Sequence, residues 1–252
     1  HNQKVIAQSE YQSAVAADAM KKHEDEKPKN APKKDFGFIT IAAGEGLAEI
    51  FKGLGVDEVI QGGQTMNPST EDILNAADKI NADTIFVLPN NSNIILASNQ
   101  AASIIEDKKL IVIPTKTIPQ GITAMINFEL TRSADENEKA MLESLSTVKS
   151  GQLTYAVRDT SIDGKEIKKD NYLGLGDNGL ASVGTDMDDT LIDMLSEFVD
   201  DESELISVYY GEDIDENKAE ELVYKIEEKF DGVDVELQYG GQPVYYYIVS
   251  VE

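Results

Sequence analysis

The sequence predicts an α/β protein in two parts. A parallel-sheet α/β unit over residues 36–130 is followed by an acidic α+β unit, with a largely antiparallel sheet, over residues 131–252. Three observations carry this. Between Phe36 and Leu130, short apolar runs alternate with helix-length segments, the pattern that βαβ units produce. Beyond Ser133, the turn signals Asp163-Gly164 and Asp177-Asn178-Gly179 punctuate the apolar runs, as between antiparallel strands. The 252 residues, 41% of them hydrophobic, suffice for two cores in units of roughly 100–120 residues.

Residues 1–35 read as a tail and linker. Ala14–Met20 has the makings of a short helix, but Lys21–Asp35 is charged, contains Pro28 and Pro32, and lacks apolar periodicity. Strands are expected at Phe36–Ala42, Val56–Ile60, Thr84–Leu88 and Leu110–Ile113. Each runs into a polar loop, respectively 43–46, 62–70, 89–93 and 114–121, and a parallel sheet gathers such loops on the edge where ligands sit. Gly44-Glu45-Gly46 is followed by leucine and alanine, so it reads as a tight strand-to-helix turn and not as a dinucleotide or phosphate loop. Ser69 and Thr70 before Glu71 and Asp72 read as a helix cap. In the second part, helices are expected at Asp135–Leu145, Met187–Val199 and Asp215–Phe230, and strands at Leu205–Tyr210, Val233–Tyr239 and Tyr245–Val251.

Charge narrows the function. With 47 acidic and 22 basic residues the net charge is −25, which repels phosphate backbones and anionic lipid, so neither nucleic-acid binding nor membrane insertion is expected. There is no cysteine, and the two histidines, His1 and His23, both lie in the polar N-terminal segment, which argues against thiol, zinc or histidine chemistry. No apolar run has the length of a membrane span or the character of a signal peptide, leaving the cytoplasm as the default location.

The asymmetry lies in the second half: residues 1–128 carry a balance of −4 and residues 129–252 one of −21. Nine acids and no lysine or arginine fall between Asp186 and Glu204. A helix over 187–199 buries Leu191, Ile192, Leu195, Phe198 and Val199 and turns Asp189, Asp193 and Glu197 outward at i,i+4 spacing, where like charges repel. Asp200, Asp201, Glu202 and Glu204 add charge at the end the helix dipole disfavours. The helix over 215–230, by contrast, has acids first and Lys225 and Lys229 last, and a Glu221–Lys225 pair accounts for it by stability alone. Two readings of the acids stand side by side: a solvated face that keeps the protein soluble, and a docking surface for a basic partner formed from Asp186, Asp188, Asp189, Asp193, Glu197, Asp200, Asp201, Glu202, Glu212, Asp213, Asp215 and Glu216. A calcium loop fits poorly, since neither Asp186-x-Asp188 nor Asp213-x-Asp215-x-Asn217 has the glycine such loops need. Lys116 is the one lysine of the four loops, and no nucleophile, base and orienting group assemble, so catalysis by this chain alone is not expected.

Several stretches together resemble a known family: Ile41–Phe51 (IAAGEGLAEIF), Gly62–Asp72 (GGQTMNPSTED), Leu88–Asn91 (LPNN), Ile113–Gly121 (IPTKTIPQG), Tyr155–Asp159 (YAVRD) and Gly240–Pro243 (GGQP). In this order they resemble the C-terminal region of the FakA family, kinase subunits of bacterial fatty acid kinase, over residues 36–252. The resemblance implies a system in which FakA phosphorylates the carboxylate of a fatty acid presented by FakB, a DegV-like binding protein. ATP and magnesium would then be bound by upstream domains, and this chain would hold no cofactor or catalytic residue and dock FakB. The same stretches are distantly similar to FakB itself, which implies a DegV-like pair of subdomains. Thr65–Ser69 stands where that family has a Thr-Ser-Gln-Pro-Ser loop holding the carboxylate, but Asn90–Asn93 replaces its serine-glycine loop, and its C-terminal histidine and arginine-rich turn have no counterpart. The alternative to docking is a lipid carrier with its own fatty acid pocket, using Thr65, Ser69 and Asn90–Asn93.

Overall fold

The computed structural model describes residues 31–63 and 66–252. The expected helix at Ala14–Met20, both histidines and Thr65 lie outside the described residues. The four expected parallel strands are present as β1 (Lys34–Ile41), β2 (Glu58–Ile60), β3 (Ala82–Leu88) and β4 (Lys109–Val112), in the order β2-β1-β3-β4. One correction falls at the start: Lys34 and Asp35 are not linker but open β1, where Lys34 pairs with Asp57.

Helices α1 (Glu45–Gly53), α2 (Thr70–Asp78), α3 (Ser92–Ile104) and α4 (Ile118–Ile126) follow the four strands, and α5 (Ala134–Ser144) leads into the second part. Ile85–Leu88 of β3 are buried on both faces, as the middle of a covered parallel sheet demands. On one face Ile39, Ile85 and Val87 meet Ile73 and Ala77 of α2 and Ala101 of α3. On the other, Phe38, Phe86 and Leu88 meet Leu47 and Phe51 of α1 and Ile122 and Met125 of α4.

The second sheet has six strands, ordered β11-β10-β12-β5-β8-β9, with a separate β6–β7 hairpin. They are β5 (Lys149–Tyr155), β6 (Thr160–Ile162), β7 (Lys165–Ile167), β8 (Tyr172–Gly176), β9 (Gly179–Gly184), β10 (Leu205–Tyr210), β11 (Asp234–Tyr239) and β12 (Tyr247–Val251). Only β10 and β11 pair in parallel. Asp163 and Gly164, at φ 51° and 78°, form the two-residue hairpin turn that the sequence signalled. Helices α6 (Met187–Phe198) and α7 (Glu216–Lys229) cover one face of this sheet, where Leu191, Met194, Leu195, Leu222 and Ile226 pack on Ile206, Val208 and Val249. Met194 is buried in α6, whereas Ile192, Phe198 and Val199, expected to be buried, are only partly so.

The opposite face of the second sheet presents Tyr209 and Ile248 to the same core as α1 and α4. Those two helices are therefore a shared middle layer between the sheets, and the order through the molecule is α2/α3, first sheet, α1/α4, second sheet, α6/α7. The joint is close enough to need glycine. The Leu47 amide donates to the Gly240 carbonyl at 2.9 Å. A Cβ on Gly46 would stand 1.9 Å from the Tyr239 carbonyl oxygen. The GEG turn thus owes its glycines to the facing Gly240-Gly241 loop and not to a phosphate.

Candidate functional site

The four polar loops do gather at the C-terminal edge of the first sheet, around a cavity of about 290 Å³ that also touches Gln152, Tyr245 and Ile248 of the second part. This is at the lower edge of the roughly 300–1,000 Å³ typical of small-molecule sites. Two of its polar side chains, Asn90 and Asn91, are already committed. Asn90, at φ 59°, is buried; its amide donates to Thr40 Oγ1 (2.8 Å) and to the Ile41 carbonyl (2.9 Å). Its side-chain oxygen accepts from Thr115 Oγ1 at 2.9 Å, and the Asn90 backbone N–H donates to that same hydroxyl oxygen. One asparagine in the left-handed region, which that residue tolerates, thereby ties together the ends of β1, β3 and β4. Gly121 leaves room for it: a Cβ there would lie 2.1 Å from Asn90 Oδ1.

The neighbouring groups are spent in the same way. Asn91 caps α3 by accepting from the Asn93 amide and donates to the Gly63 carbonyl. Ser69 and Asp72 form a reciprocal capping box on α2, so the expected cap is confirmed. Thr117 caps α4 and shares a 2.8 Å hydrogen bond with Ser150 of β5. Ser92, Asn93 and Lys116 are exposed at the rim.

The twelve acids nominated from the sequence do not form one cluster. Asp186, Asp188, Glu212, Asp213, Asp215 and Glu216 lie at the end of the second sheet where β10 and β11 finish and both α6 and α7 begin. Glu197, in the last turn of the 12-residue helix α6, and Asp200, Asp201 and Glu202 just beyond it lie at the other end, about 18 Å away at 1.5 Å per residue. Asp189 and Asp193 lie along the exposed side between.

Four of the twelve have structural work. Asp186 and Asp215 are the N-caps of α6 and α7. Asp188 pairs with Lys225 across the two helices at 2.7 Å, which replaces the expected Glu221–Lys225 pair as that lysine's partner. Asp200 accepts from Lys149 Nζ at 2.6 Å, and the same ammonium donates to the Phe198 carbonyl. The cation that the α6 C-terminus lacks in sequence is thus supplied by β5, and the expected conflict with the helix dipole at Asp200 is corrected. The Lys149 hydrogen bond, with those from the Glu202 amide and Ser203, holds the Asp200 carboxyl below its ordinary range. The other eight, Asp189, Asp193, Glu197, Asp201, Glu202, Glu212, Asp213 and Glu216, are exposed and form no ion pair among the described residues.

Sequence reading overlooked the aromatic company of the first group. Tyr155, Tyr172, Tyr210, Tyr239 and Tyr246 all sit at that end of the second sheet; the available signal was a tyrosine at the end of successive apolar runs, including the Tyr245-Tyr246-Tyr247 triplet. The adjoining loop holds Gln242, 1% exposed, whose Nε2 donates to the Tyr209 carbonyl while its Oε1 has no partner among the described residues. Also among the described residues, no helix is long and apolar enough to cross a membrane.

Comparison with known proteins places this geometry. Residues 37–252 match the family model for the C-terminal region of FakA-like fatty acid kinase proteins. Protein YloV of Bacillus subtilis (strain 168) is 43% identical over 249 residues, covering 99% of this chain and 44% of that protein. An uncharacterized protein of Staphylococcus aureus (strain MRSA252) is 47% identical over 215 residues, 85% of this chain and 39% of its own length. The chain therefore spans less than half the length of these curated relatives. Among solved structures, the DegV family protein Cg2579 of Corynebacterium glutamicum superposes with a TM-score of 0.62 at 12% identity, over 86% of this chain and 97% of that one. The Streptococcus pneumoniae FakB3 protein loaded with linoleic acid superposes with a TM-score of 0.56 at 12% identity, over 87% and 99%. At such identities the likeness shows a shared DegV-like fold. With the family model spanning nearly the whole described chain, this protein belongs to the FakA-like C-terminal family of fatty acid kinase proteins.

Proposed function

We propose that the chain is a non-catalytic docking domain of a fatty acid kinase. In this reading it binds a fatty-acid-loaded DegV-like protein of the FakB type through its acidic surface. Upstream domains, which hold ATP and magnesium, then phosphorylate the fatty acid carboxylate in the cytoplasm. The observation that carries the reading is a contrast in how polar groups are used. Around the first-sheet cavity, Asn90, Asn91 and Ser69 are bonded within the protein, so a carboxylate entering there would find its free donors not in them but in Gln152 and in Ser92, Asn93 and Lys116 at the exposed rim. On the second part, eight of the nominated carboxylates are exposed and form no ion pair among the described residues. Acids at helical spacing without a cation repel one another, yet they attract a basic partner.

Calorimetry with a fatty-acid-loaded DegV-like protein from the same cell tests this. Expected is binding that weakens as salt rises between about 0.05 and 0.5 M, a range over which the Debye length shrinks severalfold. Salt-independent affinity, or stoichiometric micromolar binding of ATP and magnesium by this chain alone, would sink the proposal. Mass spectrometry of the purified chain separates it from the lipid-carrier alternative, which requires a co-purified fatty acid.

A further inference from the structure

Five neighbouring strands of the second sheet each end in, or are entered through, a tyrosine on the same edge. Tyr239 closes β11 opposite Tyr210, which closes β10. Tyr246 immediately precedes β12, and Tyr155 closes β5 opposite Tyr172, which opens β8. With strands about 4.8 Å apart the row is roughly 20 Å long. Ring centroids lie 5.2 Å apart for Tyr210–Tyr239, 5.9 Å for Tyr155–Tyr246 and 6.0 Å for Tyr172–Tyr246.

Core packing explains only part of this row. Tyr172, Tyr210 and Tyr246 pack against the second core, but Tyr239 and Tyr155 belong to no core cluster and are 45% and 42% exposed. The charges divide the row into two halves. Beside Tyr155 and Tyr172, the segment 158–170 balances Arg158, Lys165, Lys168 and Lys169 against Asp159, Asp163, Glu166 and Asp170. Beside Tyr210 and Tyr239, the segment 211–220 sets Glu212, Asp213, Asp215, Glu216 and Glu220 against Lys218 alone. Glu212 and Asp213 lie in the turn directly after β10, and Glu216 opens α7; burial first, and then the Glu216 carboxylate, raises the Tyr210 phenol above its ordinary range.

We propose that Tyr210 and Tyr239, with Glu212, Asp213 and Glu216, form a receptor for an arginine side chain of a docking protein. The inference rests on the docking reading and locates its centre. A guanidinium is planar and weakly hydrated, so it stacks on a tyrosine face while its N–H groups reach a carboxylate, whereas an ammonium keeps more of its water. A partly exposed tyrosine such as Tyr239, beside the half-buried Tyr210 and among carboxylates, is also the composition of interface anchors. The lateral acids of α6, Asp193 and Glu197, have no aromatic neighbour in the row and act on the partner only through the general field.

The test uses the whole chain, its Tyr239→Leu and Tyr239→Phe variants, the Glu212→Gln/Asp213→Asn/Glu216→Gln triple variant, and Asp193→Asn/Glu197→Gln as a control. Two titrants are compared: the fatty-acid-loaded DegV-like protein by calorimetry, and hexa-arginine or hexa-lysine peptides by tyrosine fluorescence, since the chain holds 10 tyrosines and no tryptophan. Expected is a roughly three- to tenfold loss of affinity for hexa-arginine and for the protein in Tyr239→Leu, with Tyr239→Phe close to the parent. The triple variant should lose more than the control, and hexa-lysine should bind the parent more weakly than hexa-arginine. Tyr239→Leu within twofold of the parent towards hexa-arginine, or equal affinity for the two peptides, overturns the receptor. If the DegV-like protein fails to bind while hexa-arginine binds in a Tyr239-dependent way, the docking reading falls and the receptor stands. If the protein binds parent and Tyr239→Leu alike, docking stands and the receptor falls.

Discussion

The two loop-bearing edges of the molecule use similar raw material to opposite ends. At the first sheet's edge, the Asn90, Asn91, Thr115 and Thr117 side chains bond within the protein, and Asn90 alone makes three side-chain hydrogen bonds to β1 and the Thr115 hydroxyl. At the second sheet's edge, carboxylates and the Tyr155 and Tyr239 rings are exposed, and Glu212, Asp213 and Glu216 have no ion-pair partner among the described residues. A polar loop in sequence therefore marks a place where backbone and side chains need partners, and only the structure decides whether the partners come from within.

The largest expected effect comes from reopening the closed edge. Asn90→Ala removes the amide that serves Thr40 and Ile41 and leaves the Thr115 hydroxyl without its acceptor, all in buried surroundings. It also places alanine at φ 59°. Two or more unsatisfied buried groups and left-handed strain cost about 3 kcal/mol. A urea midpoint falling without a change in slope is the expected result; an unchanged midpoint would show that the edge is not held by this network.

Next comes the joint between the two edges. Gly46→Ala sets a Cβ against the Tyr239 carbonyl, a backbone atom that cannot swing aside. Overpacking of this kind costs about 1–3 kcal/mol. Because Tyr239 belongs to the proposed receptor, hexa-arginine affinity should fall with stability in Gly46→Ala but hold in Asn90→Ala. Equal affinities in both variants would mean that the joint does not position the tyrosine end.

Much of the fold was legible because its elements are locally consistent. Strands β1, β3 and β4 begin and end within two residues of expectation, since buried parallel strands read as unbroken apolar runs bounded by polar loops. The Ser69 cap and the Asp163-Gly164 turn were legible because each needs only neighbours in sequence. What escaped was long-range. Lys149 lies 51 residues from Asp200 and Lys225 lies 37 from Asp188, so a helix that looks uncompensated in sequence has two of its charges answered from elsewhere. The tyrosines at the ends of apolar runs were in view, but not that they form a row: strand order β11-β10-β12-β5-β8 makes neighbours of residues as far apart as Tyr155 and Tyr246.

Lys149 gives the acidic face a pH signature. Because its ammonium lowers the Asp200 carboxyl, the stability this pair contributes is present above the ordinary carboxylate range, near pH 3.9 in the unfolded chain, and is lost as pH falls through the lowered value of the folded state. Lys149→Met should therefore be slightly less stable than the parent at neutral pH and should lose less on acidification. Parallel acid-unfolding curves for the two proteins, followed by circular dichroism, would count against the pair.

The smallest effect on stability is the only one expected to be positive. Asp189 sits in the first turn of α6, where the dipole favours it, and Asp200 is paired, so neutralising either costs something. Asp193 and Glu197 have neither excuse: each is exposed, and Asp193 repels acids both one turn before and one turn after it. Asp193→Asn/Glu197→Gln should raise stability by about 0.4–1 kcal/mol, two like-charge contacts at 0.2–0.5 kcal/mol each. If these acids also belong to the field that draws in a basic partner, the firmer variant should associate more slowly and show a shallower salt dependence, with its dissociation rate nearly unchanged. A firmer protein with unaltered association kinetics would leave α6 as a solvated face and confine recognition to the tyrosine end. A protein no firmer than the parent would mean that solvent and salt already screen the row, and the repulsion read from its spacing would then carry no weight in either folding or docking.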